Sequence, residues 1–234
     1  MIKTILLILI IAPIFILGQD EPTDVALGSG SGQYKWEIGI NGGVNITNVS
    51  GLIPDSSHSG IESNIGRLYG ATVVYHMNKF FAIKTDIDFE NKGWTITNTE
   101  VVTDPVTGVS SKEDIIQNLN YFDIPAFLHI GFGNRLKFDL NFGPYFAFLI
   151  EDQASYENAA GEMIPVTRDD LSGFSSTDFG ITYGAGIDLA LGKRFSFGFD
   201  LLYEQGLKSI RAGGVKNTSL DFDFGINFLF GEKK

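Results

Sequence analysis

Residues 219–230, SLDFDFGINFLF, alternate two kinds of side chain one residue at a time. Phe222, Phe224, Ile226, Phe228 and Phe230 share one parity; Asp221, Asp223, Gly225 and Asn227 share the other. Successive residues of a strand point to opposite faces, so one face is large and apolar and the other is small, acidic or amide. A half-buried strand of any water-soluble sheet alternates in the same way. The constraint comes from recurrence along the chain.

Seven further stretches repeat the pattern, at 34–46, 67–77, 81–94, 119–132, 136–150, 178–191 and 195–207. In 81–94, Phe81, Ile83, Ile87 and Phe89 oppose Lys84, Asp86, Asp88 and Glu90; in 136–150, Phe138, Leu140 and Phe142 oppose Lys137, Asp139 and Asn141. After the N-terminal segment, no stretch of similar length carries a helical 3.6-residue repeat. Eight strands of about 11–14 residues exceed the usual ~5–6 of soluble sheets and match the ~9–11 needed to cross a bilayer at a tilt. The connections alternate in length. Asn78-Lys79, Gly133-Asn134-Arg135 and Gly192-Lys193-Arg194 are tight turns, whereas 47–65, 95–118, 151–177 and 208–216 read as long polar loops.

Eight such strands close either with the apolar face inward, as in a soluble lipid-binding barrel, or with it outward. Volume decides. The chain has 20 Phe, concentrated on the apolar faces, and an eight-stranded interior is barely wide enough for its own side chains. The opposite faces carry the Gly, Asn, Asp and Thr that a crowded interior accepts. The fold class expected is therefore all-β, an eight-stranded antiparallel up-and-down transmembrane β-barrel with short periplasmic turns and long extracellular loops. Phe138, Phe142, Phe179, Phe197, Phe199, Phe222, Phe224 and Phe228 form its lipid-facing band, and Trp36, Trp94, Tyr34, Tyr75 and Tyr203 its aromatic girdles.

Before the barrel, Lys3 and an apolar run to Leu17 read as a secretory signal peptide, residues 1–18, and 19–33 as a flexible periplasmic tether with a Gly/Ser run. The barrel is expected at 34–230 and a short tail at 231–234. A net charge of −11 argues against nucleic acid, and the absence of Cys excludes disulfides and thiolate metal sites.

Residues 119–132 (LNYFDIPAFLHIGF), 142–150 (FGPYFAFLI), 179–189 (FGITYGAGIDL) and 195–207 (FSFGFDLLYEQGL) resemble the PorT-like outer-membrane β-barrel family of Bacteroidetes. The Tyr-x-Asp-Ile-Pro run at Tyr121–Pro125 is the most specific part, and the resemblance covers about residues 34–230. It implies an outer-membrane location in a Gram-negative cell; the family's namesake is associated with type IX secretion and gliding. The chain departs from many such barrels in ending on Gly-Glu-Lys-Lys after Phe230 rather than on an aromatic residue.

The inward acidic set is the most suggestive chemistry: Glu37, Asp86, Asp88, Glu90, Asp123, Asp139, Asp188, Asp200, Glu204, Asp221 and Asp223. It reads either as a cation-lined path or as a packed lumen in which these groups pair with Lys35, Lys84, Lys137, Asn side chains and water. The narrow interior favours packing. Asp86-x-Asp88-x-Glu90 has calcium-loop spacing, but on a strand these residues merely share a face, and the Gly and distant Glu of an EF-hand are missing. His58, His76 and His129 lack metal-ligand spacing, and no nucleophile motif is visible. No catalytic residue, metal or cofactor is expected, and no enzyme. The expected role is structural or interactive in the envelope, with outer-membrane lipid and other envelope or secretion proteins as partners and no small-molecule ligand. A small cation-permeable pore is the alternative.

Overall fold

The computed structural model describes residues 34–52, 60–104, 109–158, 160–166 and 173–232. The expected signal peptide and tether lie outside the described residues. The described residues form nine strands in order: β1 (Tyr34–Ser50), β2 (Gly60–His76), β3 (Phe81–Asp104), β4 (Val109–Gly133), β5 (Leu136–Glu157), β6 (Met163–Pro165), β7 (Thr177–Leu191), β8 (Phe195–Gly206) and β9 (Lys216–Glu232). All pairings are antiparallel, and eight of the strands form a ring in which β9 pairs with β1. The three-residue β6 only fringes the end of β5. The expected eight-stranded up-and-down barrel is present.

The register defines the barrel's dimensions. Following partners once round from Trp36 passes through Tyr75, Ile83, Leu128, Phe142, Tyr183, Tyr203 and Leu220 and returns to Ile46, ten residues further along β1. With a rise of about 3.3 Å per residue and a strand spacing of about 4.8 Å, that stagger gives a tilt of roughly 40° and a backbone radius of about 8 Å. Every residue on this path but the terminal aliphatics and Leu128 is aromatic or Ile, and all face outward.

The apolar face is outside. Phe138 and Phe142 are about 60% and 59% accessible, and Phe179, Phe197, Phe199, Phe222, Phe224 and Phe228 share that outer face, exposed or half-buried. Ring contacts run across neighbouring strands, among them Phe146–Phe179 at 4.8 Å, Phe199–Phe224 at 4.9 Å and Phe195–Phe228 at 5.4 Å. Trp36 packs at a tilt against Tyr75, ring centres 4.7 Å apart, near the end where the tight turns lie. At the first of them, Asn78 Oδ1 accepts the backbone N–H groups of Phe80 and Phe81.

Several boundaries differ from the sequence reading. The polar stretch 95–118 is mostly strand: β3 and β4 stay paired past Thr95–Ile116 as far as Asp104–Val109. Likewise β1 runs to Ser50, β2 begins at Gly60, and β5 reaches Glu157 within the expected loop 151–177. The tail is shorter than expected because β9 continues through Glu232. Strands need only cross-strand partners, and β-branched residues such as Thr95, Ile96, Thr97 and Thr99 suit a pleated wall in water as well as in lipid. One girdle residue also moves: Trp94 is buried inside the barrel rather than at the lipid boundary, whereas Tyr34, though buried, keeps the outward parity of Trp36 at the end of β1.

Candidate functional site

Ten of the eleven predicted acidic residues are buried inside the barrel, and Asp188 is half-buried there. Alternation along β1, β3, β4, β5, β7, β8 and β9 brings them together although they are far apart in sequence. They fall into three tiers along the barrel axis.

Nearest the short turns, Glu37 Oε1 lies 2.6 Å from His76 Nε2, and the Ser196 hydroxyl approaches Glu37 Oε2 at 3.4 Å. His129 Nδ1 is 2.8 Å from Asn141 Oδ1. His129, Asp139 and Asp188 bring one donor atom each within 4.8 Å of one another.

In the middle tier, Lys84 Nζ donates to Asp200 Oδ2 at 2.6 Å and lies 3.7 Å from Asp86 Oδ2. Asn141 Nδ2 bridges Asp139 Oδ1 and Asp200 Oδ1, both at 2.8 Å. Asn41 Nδ2 does the same for Asp88 Oδ1 at 2.9 Å and Asp223 Oδ2 at 3.2 Å.

The upper tier is built round Lys92. Its ammonium contacts Glu90 Oε2 at 3.0 Å, Asp123 Oδ2 at 2.8 Å and Glu204 Oε2, and sits 4.6 Å from the centre of the Tyr145 ring. Asn45 Nδ2 donates to Glu90 Oε1 at 2.7 Å, and Thr182 Oγ1 to Glu204 Oε1 at 3.1 Å. Buried ions need such partners, since desolvation otherwise outweighs their mutual attraction.

Above Lys92 the interior turns apolar. Trp94, Ile96, Ile115, Leu119, Tyr121, Tyr145, Ala147 and Tyr156 from the walls pack with Ile210 and Val215, which come from the β8–β9 connection. Phe174, before β7, meets Trp94 edge-on at 5.8 Å. Backbone hydrogen bonds from Ser175 N to Ile210 O and from Ile210 N to Val215 O tie these connections together. Asn217 Nδ2 joins the Tyr121 hydroxyl to Asp178 Oδ2 at the boundary between tiers and cap. Ile210 and Tyr145 have no accessible surface.

The sequence reading did not single out Lys92, Asn41, Asn45 or Asn141 as organising residues. Lys92 has the parity of Asp86, Asp88 and Glu90, which is the signal that points it inward. Lys35, expected among the internal cations, is instead exposed at the barrel's end. Trp94 shares Lys92's parity, and this is why it enters the cap rather than the girdle.

A closed eight-stranded antiparallel ring, apolar outside and ion-paired within, defines an outer-membrane β-barrel. The profile of the family described as outer membrane protein beta-barrel domain matches residues 19–211, and the chain belongs to that family. Among solved structures, it is similar to the outer membrane protein OprG from Pseudomonas aeruginosa, at 12% identity over 86% of this chain and 99% of that one, with a TM-score of 0.50. Neisserial surface protein A aligns at 13% identity over 83% and 97%, with a TM-score of 0.44. The attachment invasion locus protein Ail of Yersinia pestis aligns at 14% over 83% and 99%, with a TM-score of 0.41. No curated protein matches the chain. The protein resides in the outer membrane.

Proposed function

We propose that this barrel is a closed, non-enzymatic scaffold that holds an extracellular extension for a partner in the cell envelope. The observation that supports this most is the apolar cap, in which wall residues and the two connections around Phe174 and Ile210 fill the mouth above Lys92. Beneath it, cavities of about 20 Å³ have room for one or two waters each. A filled interior favours a role on the rim, where rigid scaffolds carry binding segments. The β3–β4 hairpin, which runs ten residues past Trp94 to Asp104, is the longest strand extension of this kind among the described residues.

Conductance of the purified protein in a planar bilayer tests this reading, with silence expected from fully folded barrels. One observation favours a second reading, a small cation-permeable pore: among the described residues the eleven acidic side chains share the barrel's interior with three buried lysines, Lys84, Lys92 and Lys137. Cation-selective steps that fall when Asp221 and Asp223 are neutralised would replace the scaffold with the pore. A link to protein secretion rests on the PorT-like resemblance of residues 119–132. Crosslinking in cells of the native host tests it, and recovery of no secretion component with the hairpin would remove it.

A further inference from the structure

We propose that the upper half of the lumen holds one calcium ion among Glu90, Glu204 and Asp221. Closure of the barrel brings these three carboxylates from β3, β8 and β9 together, with one oxygen of each within 4.8 Å of the others. Three oxygens spread evenly round one ion at 2.3–2.6 Å lie about 4.0–4.5 Å apart, so oxygens within 4.8 Å of one another need at most a few tenths of an ångström of closure to share it.

A second observation points the same way. A cavity of about 20 Å³ lies beside the cluster, lined by Glu90, Glu204 and Asp221 together with Asp86, Asp123 and Asp223. Asp86 Oδ1, Asp123 Oδ1, Asp221 Oδ1 and Asp223 Oδ1 are all buried with no hydrogen-bond partner. Each of these four residues is more than nine-tenths buried. Orphaned carboxylate oxygens at these depths carry a desolvation cost that a cation or its bound water would offset.

Charge and donor type select the ion. Lys92 takes one oxygen each of Glu90, Asp123 and Glu204, and Asn45 and Thr182 donate to the second oxygens of Glu90 and Glu204, which leaves Asp123 Oδ1 and Asp221 Oδ1 to offset. The donors are oxygen only, with no His or Cys lining the cavity. Oxygen-only, carboxylate-rich, irregular sites suit calcium, whereas magnesium demands a near-ideal octahedron and keeps its waters. The calcium-like spacing in β3 is only half of the arrangement; β8 and β9 supply the rest.

The test uses the full chain extracted from outer membranes, unfolded in urea, and refolded in detergent with calcium, with magnesium, or with a chelator. Elemental analysis after gel filtration is expected to find about one calcium per chain, no retained magnesium, and a higher melting temperature for the calcium-refolded barrel. Asp221→Asn, which is nearly isosteric, is expected to weaken retention about tenfold, while Asp188→Asn near the short turns leaves it unchanged. Should Asp221→Asn not refold, Glu204→Gln gives the same readout. Equal melting temperatures with and without calcium, no retained calcium, or equal loss in Asp188→Asn would each overturn the site, the last by marking calcium as a diffuse counterion.

Discussion

Lys92 is the cation round which the upper tier is built. It faces three carboxylates and two tyrosine rings with about 1% of its surface accessible. Removing one partner of a buried ionic cluster leaves the others uncompensated, typically at about 3–5 kcal/mol. Lys92→Met is accordingly expected to lower the stability of the folded barrel by about that amount in urea titrations; no change in midpoint would mean that the carboxylates are neutralised without it. Gly143 acts at the same scale through space rather than charge. A methyl group there would sit 1.8 Å from the Ala126 carbonyl oxygen, so β4 and β5 approach too closely for any side chain. Gly143→Val is expected to block barrel closure, read as loss of the heat-modifiable folded band on electrophoresis.

At the scale of elements, the β3–β4 hairpin is the main departure from a minimal barrel. Spanning an apolar band of ~25 Å at a tilt of roughly 40° takes about ten residues, yet β3 has 24 and β4 has 25. Protease added to intact cells is expected to cut in this hairpin and leave the membrane-embedded strands whole; full protection would mean that it is covered. This element also marks where the sequence was legible and where it was not. In lipid the outer face must be apolar, so 81–94 and 119–132 alternate in plain view. Outside lipid both faces can be polar, and Thr95–Asp104 loses the contrast that periodicity needs while keeping its cross-strand pairs. Parity gave the direction of each carboxylate. The tiers they form depend on the ten-residue stagger, which links β3 to β8 and β9 and leaves no local trace. Trp94 was misplaced for a related reason: near a strand end, an aromatic residue suits a girdle or a cap, and only its parity with Lys92 separates the two.

For the whole molecule, the cap and the ionic tiers are separate barriers in series. Trp94→Ala is expected to cost about 3–5 kcal/mol through the cavity it leaves, measured by thermal or urea unfolding. The bilayer should stay silent all the same, because the Lys92 and Lys84 tiers remain below. Open channels in this variant would show that the cap alone blocks the barrel.

The cap also sets an order of events. Its side chains come from β3, β4 and β5 and from the connections before β7 and after β8, and they meet on the far side of the membrane from the short turns. No local hairpin can complete it; Trp94 finds Phe174 and Ile210 only after the segments carrying them have all traversed the bilayer. Burial of Trp94 is therefore a clock for the end of biogenesis. In time-resolved refolding, its fluorescence change should trail the appearance of β structure, as the last step by which the barrel seals itself from outside.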